Sequence, residues 1–522
     1  MNNAEPAARP RVVREVEHKF RIHGLFRVPD LQQVAGVTAI DELGTVELES
    51  TYFDTPDLRL AREGITLRRR TGDDEGWHLK LPAAATGPEV RDEFHLPLAA
   101  SSAHAPPSAL IGMVRPIVRD APVGIVSILR TERTRQLVHG AGGVPVAELV
   151  DDTVHVLDND RSVAARFREL ELEVREGGKV IGRIATALTA AGAVSGEFVA
   201  KAVRSLGPAA AAPPEVAPPS RPGPKDPARD TLIAYLATNV RALRAADLEF
   251  RRDPSDHGDA IHQLRVSARR LRSGLRTFRP LLEADWTRHL RTELGWAASS
   301  LTDLRESEVL RDRLAAHLAS PPVSLPANVA IEPAAELIHH AFHARLEKAR
   351  AAAEEMLDTD RYVALHGALV AAAVDPETTQ AAQSPARDVL PGLVRKAWKE
   401  LDRQAENLRP GAGDDLWHAT RLAAKRARYA AEAAATSLGP EAAALAGQIQ
   451  RLTDILGEHQ DAVQAAAAVQ AIAGSGQADA DVVFVLGALA AAERGYADAA
   501  QATFDEAWAD VRRPRWRKWL ST

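Results

Sequence analysis

The first two hundred residues alternate apolar and charged positions with a period of two. Between residues 14 and 20, Glu15, Glu17 and Lys19 occupy every second position. A β-strand sends successive side chains to opposite faces, so these three side chains share one face. Later segments repeat the pattern, with charged or ionisable residues at Arg68 and Arg70, His78 and Lys80, Arg91 and Glu93, Arg133 and Arg135, and Glu169, Glu171 and Glu173. The pattern predicts an antiparallel β domain with one apolar and one charged face.

The charged face admits two interpretations. An antiparallel sheet with one face in water gives the same alternation. Here, however, the acidic and basic residues are segregated by strand, which favours a closed barrel with a polar interior. In such a barrel the carboxylates would coordinate a hard cation, and the Arg and Lys side chains would hold a polyanion.

The amino-acid composition and the spacing of apolar residues change after a proline-rich segment. From Gly207 to Pro227 there are eight prolines and an alanine run, a composition typical of a semi-rigid spacer. Beyond it, Ala, Leu, Arg and Glu dominate and apolar residues recur at helical spacing. We therefore expect a β domain at residues 11–206, a linker at 207–226 and an all-α domain at 227–512.

Composition limits the chemistry and the partners. The chain has 522 residues, a net charge of −6 and no cysteine, which excludes disulfides, thiolate zinc sites and cysteine nucleophiles. It has no apolar run long enough for a membrane span and no apolar segment typical of a signal peptide. We expect a cytoplasmic protein without membrane or specific nucleic-acid partners, in which any polyanion site is local.

One predicted helix, from His262 to Leu282, is strongly basic and contains no acidic residue. At about 100° per residue, Leu264, Ala268, Leu271, Leu275, Phe278 and Leu282 form one stripe, and His262, Arg265, Arg269, Arg272 and Arg276 form a neighbouring stripe. A solvated or membrane-surface helix is one interpretation. The absence of balancing Glu residues favours an anion-binding face instead.

A second copy of this segment follows at a constant offset. His418, Arg421, Lys425, Arg426 and Arg428 match His262, Arg265, Arg269, Arg270 and Arg272. The duplication predicts two repeats, at about residues 227–375 and 385–512. Pseudo-symmetry would place both basic helices on one surface.

Residues 11–206 resemble a CYTH domain, the triphosphate tunnel metalloenzyme fold. The motifs that carry the resemblance are Glu15-x-Glu17-x-Lys19, Tyr52-Phe53-Asp54-Thr55, Leu67-Arg68-x-Arg70, Trp77-x-Leu79-Lys80-x-Pro82, Arg133-x-Arg135 and Glu169-Leu170-Glu171-Leu172-Glu173. The resemblance implies catalysis by Glu15, Glu17, Lys19, Glu171 and Glu173. It implies Mg²⁺ or Mn²⁺ ligands at Glu15, Glu17, Asp152, Glu169, Glu171 and Glu173, with Asp151 open as an alternative to Asp152. It implies phosphate binding by Lys19, Arg68, Arg70, Lys80, Arg91, Arg133, Arg135 and Lys201.

Residues 227–512 resemble a CHAD domain, a helical module of two pseudo-symmetric bundles that is rich in histidine and basic residues. The matching motifs are His262-x-x-Arg265, His418-x-x-Arg421, Lys425-Arg426-Ala427-Arg428-Tyr429 and Leu456-Gly457-Glu458-His459-Gln460-Asp461. The resemblance implies binding of inorganic polyphosphate by His262, Arg265, Arg269, Arg270, Arg272, Arg276, His418, Arg421, Lys425, Arg426 and Arg428. Metal binding by the histidines is less favoured, because hard polyanions suit Arg better.

Together these features predict an inorganic triphosphatase whose helical half captures long-chain polyphosphate and so tethers the protein to polyphosphate granules. A water activated by the metal would be the nucleophile. Adenylyl cyclase activity, thiamine-triphosphatase activity and a non-catalytic polyphosphate-binding role remain alternatives. The sequence does not specify the oligomeric state.

Overall fold

The computed structural model describes residues 10–82, 90–176, 178–195, 200–253, 258–320, 326, 329–409, 411–476 and 479–521. The chain divides into two compact units, Met1–Glu215 and Val216–Thr522. The division falls inside the segment expected to be a linker, and that segment contributes packing on both sides of it. Glu215 is ion-paired with Arg119 of the first unit, and Val216 is buried in the apolar core of the second.

The first unit is a closed antiparallel sheet, as the alternation predicts. Its strands are β1 (Arg11–Arg21), β2 (Ala39–Asp54), β3 (Thr66–Thr71), β4 (Gly76–Pro82), β5 (Val90–Leu96), β6 (Gly124–His139), β7 (Pro145–Leu157), β8 (Val163–Val174) and β9 (Val194–Ser195). The strand order is β5-β4-β3-β2-β6-β7-β8-β1-β9. Strand β1 also pairs with β5, and this additional pairing closes eight strands into a ring.

The apolar residues of the alternating strands pack outside the ring. In the part of the first unit that the structure describes, five helices accompany the sheet, namely α1 (Arg59–Arg62), α2 (Ser108–Met113), α3 (Arg115–Val118), α4 (Lys179–Ala190) and α5 (Lys201–Leu206). Phe20 and Leu172 of the sheet are buried in one cluster with Ile184 and Leu188 of α4. Because side chains alternate along a strand, the charged residues face the interior of the ring.

The Tyr52-Phe53-Asp54-Thr55 motif has a structural role at the end of β2. The buried Asp54 carboxylate accepts hydrogen bonds from the backbone N–H groups of Thr55, Leu60 and Ala61 at 2.7, 2.9 and 2.9 Å. It thereby satisfies backbone donors that the short helix α1 leaves unpaired. Asp54 fixes the chain as it leaves β2 and lies off the cavity described below.

The described part of the second unit consists of ten α-helices, which confirms the all-α prediction. They are α6 (Ala228–Arg252), α7 (Gly258–Thr277), α8 (Ala284–Ser300), α9 (Thr302–Ala319), α10 (Glu332–Asp358), α11 (Asp360–Val374), α12 (Ala386–Ala405), α13 (Asp414–Leu438), α14 (Pro440–Ala473) and α15 (Ala480–Val511). Among the described helices, none is long and apolar enough to cross a membrane.

The internal duplication is visible in the helix boundaries. Helix α7 begins at Gly258 and α13 at Asp414, with the same offset that relates His262 to His418. An isolated antiparallel bridge joins Pro227 to Pro385, the residues that directly precede α6 and α12. The two repeats therefore begin side by side.

The predicted basic helix ends earlier than expected. The apolar stripe from Leu264 to Leu282 is buried as predicted. Helix α7 nevertheless ends at Thr277, and a 3₁₀ turn, Arg279–Leu281, follows it. Pro280 lacks a backbone N–H and cannot continue an α-helix.

Candidate functional site

The interior of the ring holds a cavity of about 290 Å³ whose wall is almost entirely charged. Among the described residues, seven acidic and nine basic side chains line it. The predicted site residues on this wall are Glu15, Glu17, Lys19, Arg68, Arg70, Lys80, Arg91, Arg133, Arg135, Glu171, Glu173 and Lys201. The structure therefore brings together twelve of the fourteen residues predicted for this domain.

The acidic side of the cavity is formed where β1 meets β8. Glu17 lies opposite Glu173, and Lys19 lies opposite Glu171. The Lys19 Nζ atom is 2.6 Å from Glu171 Oε1 and 3.2 Å from Glu17 Oε1. Burial would lower the pKa of Lys19, but these two carboxylates raise it above its usual value. Lys19 is therefore a charged residue held between two carboxylates.

Two glutamates of this side have raised pKa values. Burial raises the pKa of Glu15 to about 7, against the effect of its ion pair with Lys80. Burial and the neighbouring carboxylates of Glu171 and Glu17 raise the pKa of Glu173. No ion pair of the Glu173 side chain is present in the described part of the chain. Carboxylate oxygens that lack a cationic partner fit a hard divalent cation such as Mg²⁺ or Mn²⁺.

Asp152 lies behind the cavity wall rather than on it. Its fully buried carboxylate accepts two hydrogen bonds from Arg133, at 2.9 and 2.8 Å, and lies 2.9 Å from the Nζ atom of Lys201. Asp151 instead forms an ion pair with Arg168, and it does not line the cavity. Of the two aspartates, Asp152 is therefore the one that belongs to the interior network.

Glu169 also departs from the arrangement expected for a metal ligand. Its carboxylate lies 2.9 Å from both Lys201 Nζ and Arg204 Nη1, and it does not line the cavity. Lys201 itself contacts Asp152, Glu169 and Glu171 at 2.8–2.9 Å. Asp152 and Glu169 thus hold cations in place, and the charge of Lys201 is balanced by three carboxylates.

Glu93 organises the basic side of the cavity, a role that the sequence did not reveal. It lies 3.0 Å from His78 Nδ1, 3.3 Å from Arg68 Nη2 and 3.7 Å from Lys80 Nζ. Its alternation with Arg91 is the sequence signal that could have identified it, whereas its position opposite Lys80 depends on the register of β4 and β5. The wall also contains residues without an earlier assignment, Tyr52, Asp73, Asp74, Glu148 and Arg175.

The cations on this side crowd one another. Burial and the charges of Arg68 and Arg133 lower the pKa of Arg70 to about 10. The nearest carboxylate to Arg70 is Asp74, at 3.4 Å. A bound anion would relieve this repulsion.

In a second group of residues, the atoms that could ligate a metal lie closer together than those of the predicted glutamates. Within the described residues, Asp74, His78 and His95 form a cluster in which these atoms all lie within 4.8 Å of one another. The His78 ring is already hydrogen-bonded at both nitrogens, to Glu93 at 3.0 Å and to the Asp74 carbonyl at 3.0 Å. A metal there would have to replace existing hydrogen bonds.

The helical unit brings the two predicted basic helices together. Burial and the charges of Arg421, Arg269 and Arg265 lower the pKa of Lys425 to about 7. The Arg269 Nε atom donates a hydrogen bond to the Tyr429 hydroxyl across the α7–α13 contact, at 3.1 Å. Arg265 and Arg269 of α7 therefore share one surface with Arg421 and Lys425 of α13.

Acidic and amide side chains support this surface. His418 Nδ1 lies 2.8 Å from Gln460 Oε1, and Arg421 lies 3.9 Å from Asp461. In the first repeat, Arg265, which matches Arg421, lies 3.9 Å from Glu306. The Gln-Asp element of the second repeat thus positions the His-x-x-Arg motif.

Not every predicted polyphosphate ligand is equally available. Glu432 engages Arg428 at 2.6 Å and Arg270 at 3.3 Å. In the described part of the chain, seven other predicted ligands form no ion pair, namely His262, Arg269, Arg272, Arg276, His418, Lys425 and Arg426. The open cations extend along the surface toward the end of α7.

Comparisons with known proteins agree with this division. The CYTH domain matches residues 13–199, and the CHAD domain matches residues 234–470. An uncharacterized protein of Mycobacterium tuberculosis is 34% identical over 483 residues, which cover 88% of this chain and 89% of that protein. Human thiamine-triphosphatase is 41% identical over 71 residues, 14% of this chain and 28% of that enzyme.

A solved structure is similar as well. PptA from Streptomyces chartreusis is 26% identical, covers 54% of this chain and 99% of its own, and superposes with a TM-score of 0.47. The extent of the Mycobacterium match and the order of the two domains determine the family. The chain belongs to the family of proteins in which a CYTH domain is followed by a CHAD domain.

Proposed function

We propose that the first unit hydrolyses inorganic triphosphate with Mg²⁺ or Mn²⁺ and that the second unit binds long-chain inorganic polyphosphate. The observation that supports the first part is the cavity of about 290 Å³ inside the ring, with glutamates on one side and Arg and Lys on the other. A small linear polyanion that enters with a divalent cation complements both sides.

The basic residues would bind the phosphates. Arg68, Arg70 and Arg133 offer planar forks that can engage two phosphate oxygens, whereas Lys80 supplies a point charge. Arg91 and Arg135 also line the cavity. In the hydrolysis, water attacks the terminal phosphorus, the bridging P–O bond breaks, and orthophosphate and pyrophosphate leave. Positioning and charge neutralisation would contribute most of the acceleration.

The acidic residues would hold the metal. Glu15, Glu17, Glu171 and Glu173 line the cavity and supply the hard oxygen donors that Mg²⁺ and Mn²⁺ prefer. When bound, the ion would neutralise phosphate charge and lower the pKa of water. Lys19 would orient Glu17 and Glu171, while Asp152 and Glu169 would keep Arg133 and Lys201 in place.

The composition of the wall favours an inorganic substrate. Among the described residues that line the cavity, Tyr52 is the one aromatic residue, and it is buried beside Arg68. A nucleobase or a thiamine ring would find no aromatic stacking surface there other than this side chain. The similarity to thiamine-triphosphatase nevertheless makes thiamine triphosphate a necessary comparison.

A substrate panel tests this proposal. Inorganic triphosphate, ATP and thiamine triphosphate are compared at equal concentration with Mg²⁺ or Mn²⁺. We expect the highest kcat/KM for inorganic triphosphate. A higher kcat/KM for either organic triphosphate would replace the proposed substrate, and formation of cyclic AMP from ATP would identify a cyclase.

The proposal for the helical unit is supported by the shared basic surface of α7 and α13. Charge reversal at Arg265 and Arg269 should greatly weaken binding of long-chain polyphosphate, as should charge reversal at Arg421 and Lys425. Both changes should leave triphosphate hydrolysis nearly intact. Binding should also weaken steeply with salt, by analogy with nucleic-acid binding. Normal binding by both variants, or equal affinity for duplex DNA of the same charge, would contradict the proposal.

A further inference from the structure

Asp74, His78 and His95 meet at the turn between β3 and β4. His78 on β4 and His95 on β5 are cross-strand neighbours, and the centroids of their rings are 4.8 Å apart. Asp74 lies in the turn, and the atoms of the three side chains that could ligate a metal all lie within 4.8 Å of one another. Two imidazoles and a carboxylate from three segments of the chain are thus gathered around one point.

The surroundings of His78 do not match the hydrogen-bonding capacity of a neutral ring. Its Nδ1 atom lies 3.0 Å from a carboxylate oxygen of Glu93, and its Nε2 atom lies 3.0 Å from the carbonyl oxygen of Asp74. Both oxygens accept hydrogen bonds, whereas a neutral imidazole has only one N–H to donate. Burial, together with the charges of Arg68 and Arg70, lowers the pKa of His78 and so disfavours a second proton. One ring nitrogen therefore directs a lone pair at an oxygen atom.

A metal ion would remove this mismatch. An ion bound at Nε2 of His78 would leave the N–H on Nδ1, from which it donates to Glu93. Histidines that ligate metals commonly donate their other N–H to a carboxylate, which fixes the tautomer and makes the ring a stronger ligand. The buried Glu93 is placed to orient His78 in this way.

The backbone leaves room for the second imidazole. A Cβ atom at Gly76 would collide with the Nε2 atom of His95 and would lie 2.7 Å from the carbonyl oxygen of Leu96. Because Gly76 has no side chain, the His95 ring can approach the turn, where its Nε2 atom lies 3.1 Å from the carbonyl oxygen of Glu75. The sequence thus provides the space that brings His95 to the cluster.

We propose that Asp74, His78 and His95 bind a divalent transition-metal ion such as Zn²⁺. Imidazole suits zinc, whereas Mg²⁺ and Mn²⁺ favour sites made of oxygen donors, so this site would differ in preference from the glutamates of the cavity. Two imidazoles and one carboxylate are a ligand set found in zinc sites that keep one position open. Because Asp74 also lines the cavity, the ion would lie at the cavity wall.

Binding requires a modest rearrangement of the turn. With zinc–ligand bonds of about 2 Å, the ligand atoms of a tetrahedral site lie about 3.3 Å apart. The Asp74 side chain is exposed and can rotate toward the rings. It would exchange its contact with Arg70, at 3.4 Å, for the metal.

The test is a zinc titration of the full chain by calorimetry in excess Mg²⁺, which competes for the glutamates of the cavity. His339 and His343 are exposed one turn apart on α10, with stacked rings whose centroids are 5.8 Å apart. Because two histidines at this spacing can bind zinc themselves, the reference protein carries His339→Gln and His343→Gln.

His95→Gln and Asp74→Asn are then introduced separately into the reference protein. His95 is half-buried and Asp74 is exposed, so both variants should fold. The matched control is His155→Gln, at a half-buried position of β7 outside the cluster. We expect the reference and the control to bind one zinc ion per chain. Each cluster variant should lose at least about tenfold in affinity, since even the loss of a residue that supports a ligand costs 10–100-fold.

X-ray absorption spectroscopy of the zinc-loaded reference protein provides an independent measurement. We expect two imidazole ligands on the zinc ion, and one in His95→Gln. A coordination shell made of oxygen atoms alone would place the ion at the glutamates and overturn the inference.

Equal zinc affinity in the reference and in both cluster variants would also overturn it, as would a folded reference protein that binds no zinc. Hydrolysis of triphosphate with Mg²⁺ alone is assayed separately on the same proteins. Neither zinc measurement depends on that activity, so the proposed zinc site and the proposed triphosphatase function can fail independently.

Discussion

Lys19 on β1 and Glu171 on β8 are cross-strand neighbours, and the Lys19 Nζ atom lies 2.6 Å from the Glu171 Oε1 atom inside the ring. Glu171 also contacts Lys201 at 2.8 Å through its other oxygen. Lys19 and Lys201 therefore hold Glu171 in position on the acidic side of the cavity, and they keep its carboxylate charged despite its burial. A divalent cation that binds Glu171 would compete with these ammonium groups, and Lys19 would then be available to a phosphate.

The glutamates on the cavity wall should be essential for hydrolysis. Glu15→Gln or Glu171→Gln removes a carboxylate charge while it preserves the shape of the side chain. We expect kcat/KM for triphosphate to fall by at least about 10²-fold, the scale of losing electrostatic stabilisation in an enclosed site. Glu132→Gln, at an exposed position of β6, is the matched control and should retain activity. Full activity in both cavity variants would exclude these glutamates as metal ligands.

Asp152 should matter for stability as well as for activity. Asp152→Asn leaves the buried Arg133 and Lys201 without a full counter-charge, and breaking a buried ion pair costs about 3–5 kcal/mol. Denaturant unfolding of Asp152→Asn should show this loss, together with a higher KM for triphosphate. The neighbouring Asp151→Asn should cost at most about 1 kcal/mol, because Asp151 pairs with Arg168 away from the cavity. Equal effects of the two substitutions would contradict the role given to Asp152.

The alternation of apolar and charged residues predicted the ring of strands well. It did not predict how far each charged side chain reaches toward the cavity. Alternation assigns residues to a face, and Glu15, Glu17, Lys19 and Glu171 lie on the cavity wall accordingly. Asp152 has the same parity, yet it lies behind the wall because Arg133 covers it with two hydrogen bonds. A period of two carries no information about which charged side chain reaches the cavity and which supports another.

Contacts that depend on register or on distant segments also escaped prediction. Glu93 meets Lys80 because β4 and β5 pair in one particular register. Glu432 reaches Arg270 because α7 and α13 cross in space, far apart in sequence. The early end of α7, in contrast, could have been read from Pro280, since proline cannot donate the next helical hydrogen bond.

Polyphosphate binding should depend on pH through Lys425. Its pKa of about 7 lies well below the usual value, because burial and the charges of Arg421, Arg269 and Arg265 disfavour its charged form. Bound phosphate would favour the charged form, so binding takes up a proton and the affinity falls as pH rises through 7. Between pH 6 and 8 we expect about a tenfold loss, since a shift of one pKa unit equals about 1.4 kcal/mol.

The matched variant for this titration is Lys425→Arg, because arginine stays charged over the whole range. Asp461, His262 and His418 also lie near or within the basic surface, so the informative quantity is the ratio of wild-type to variant affinity at each pH. This ratio should fall as pH rises from 6 to 8. A ratio that stays constant would show that Lys425 does not titrate in this range.

The two units should each function alone when the chain is cut at the boundary between them. A fragment of residues 1–215 should fold and retain triphosphatase activity. A fragment that ends at Leu206 lacks Glu215, which holds Arg119 through hydrogen bonds of 2.6 and 2.8 Å. We expect it to be less stable by about 2 kcal/mol, a typical value for charged hydrogen bonds. A folded fragment of residues 1–215 without activity would show that hydrolysis requires the helical unit.

The most direct test of the triphosphatase proposal is phosphate release from inorganic triphosphate by the full chain, measured with Mg²⁺, with Mn²⁺ and after addition of EDTA. We predict release of orthophosphate with at least one of the two ions, abolition by EDTA and recovery when the ion is restored. Undiminished release in EDTA would contradict the metal assignment. A folded chain that binds triphosphate but releases no phosphate with either ion would contradict the assignment of the cavity as a triphosphatase site.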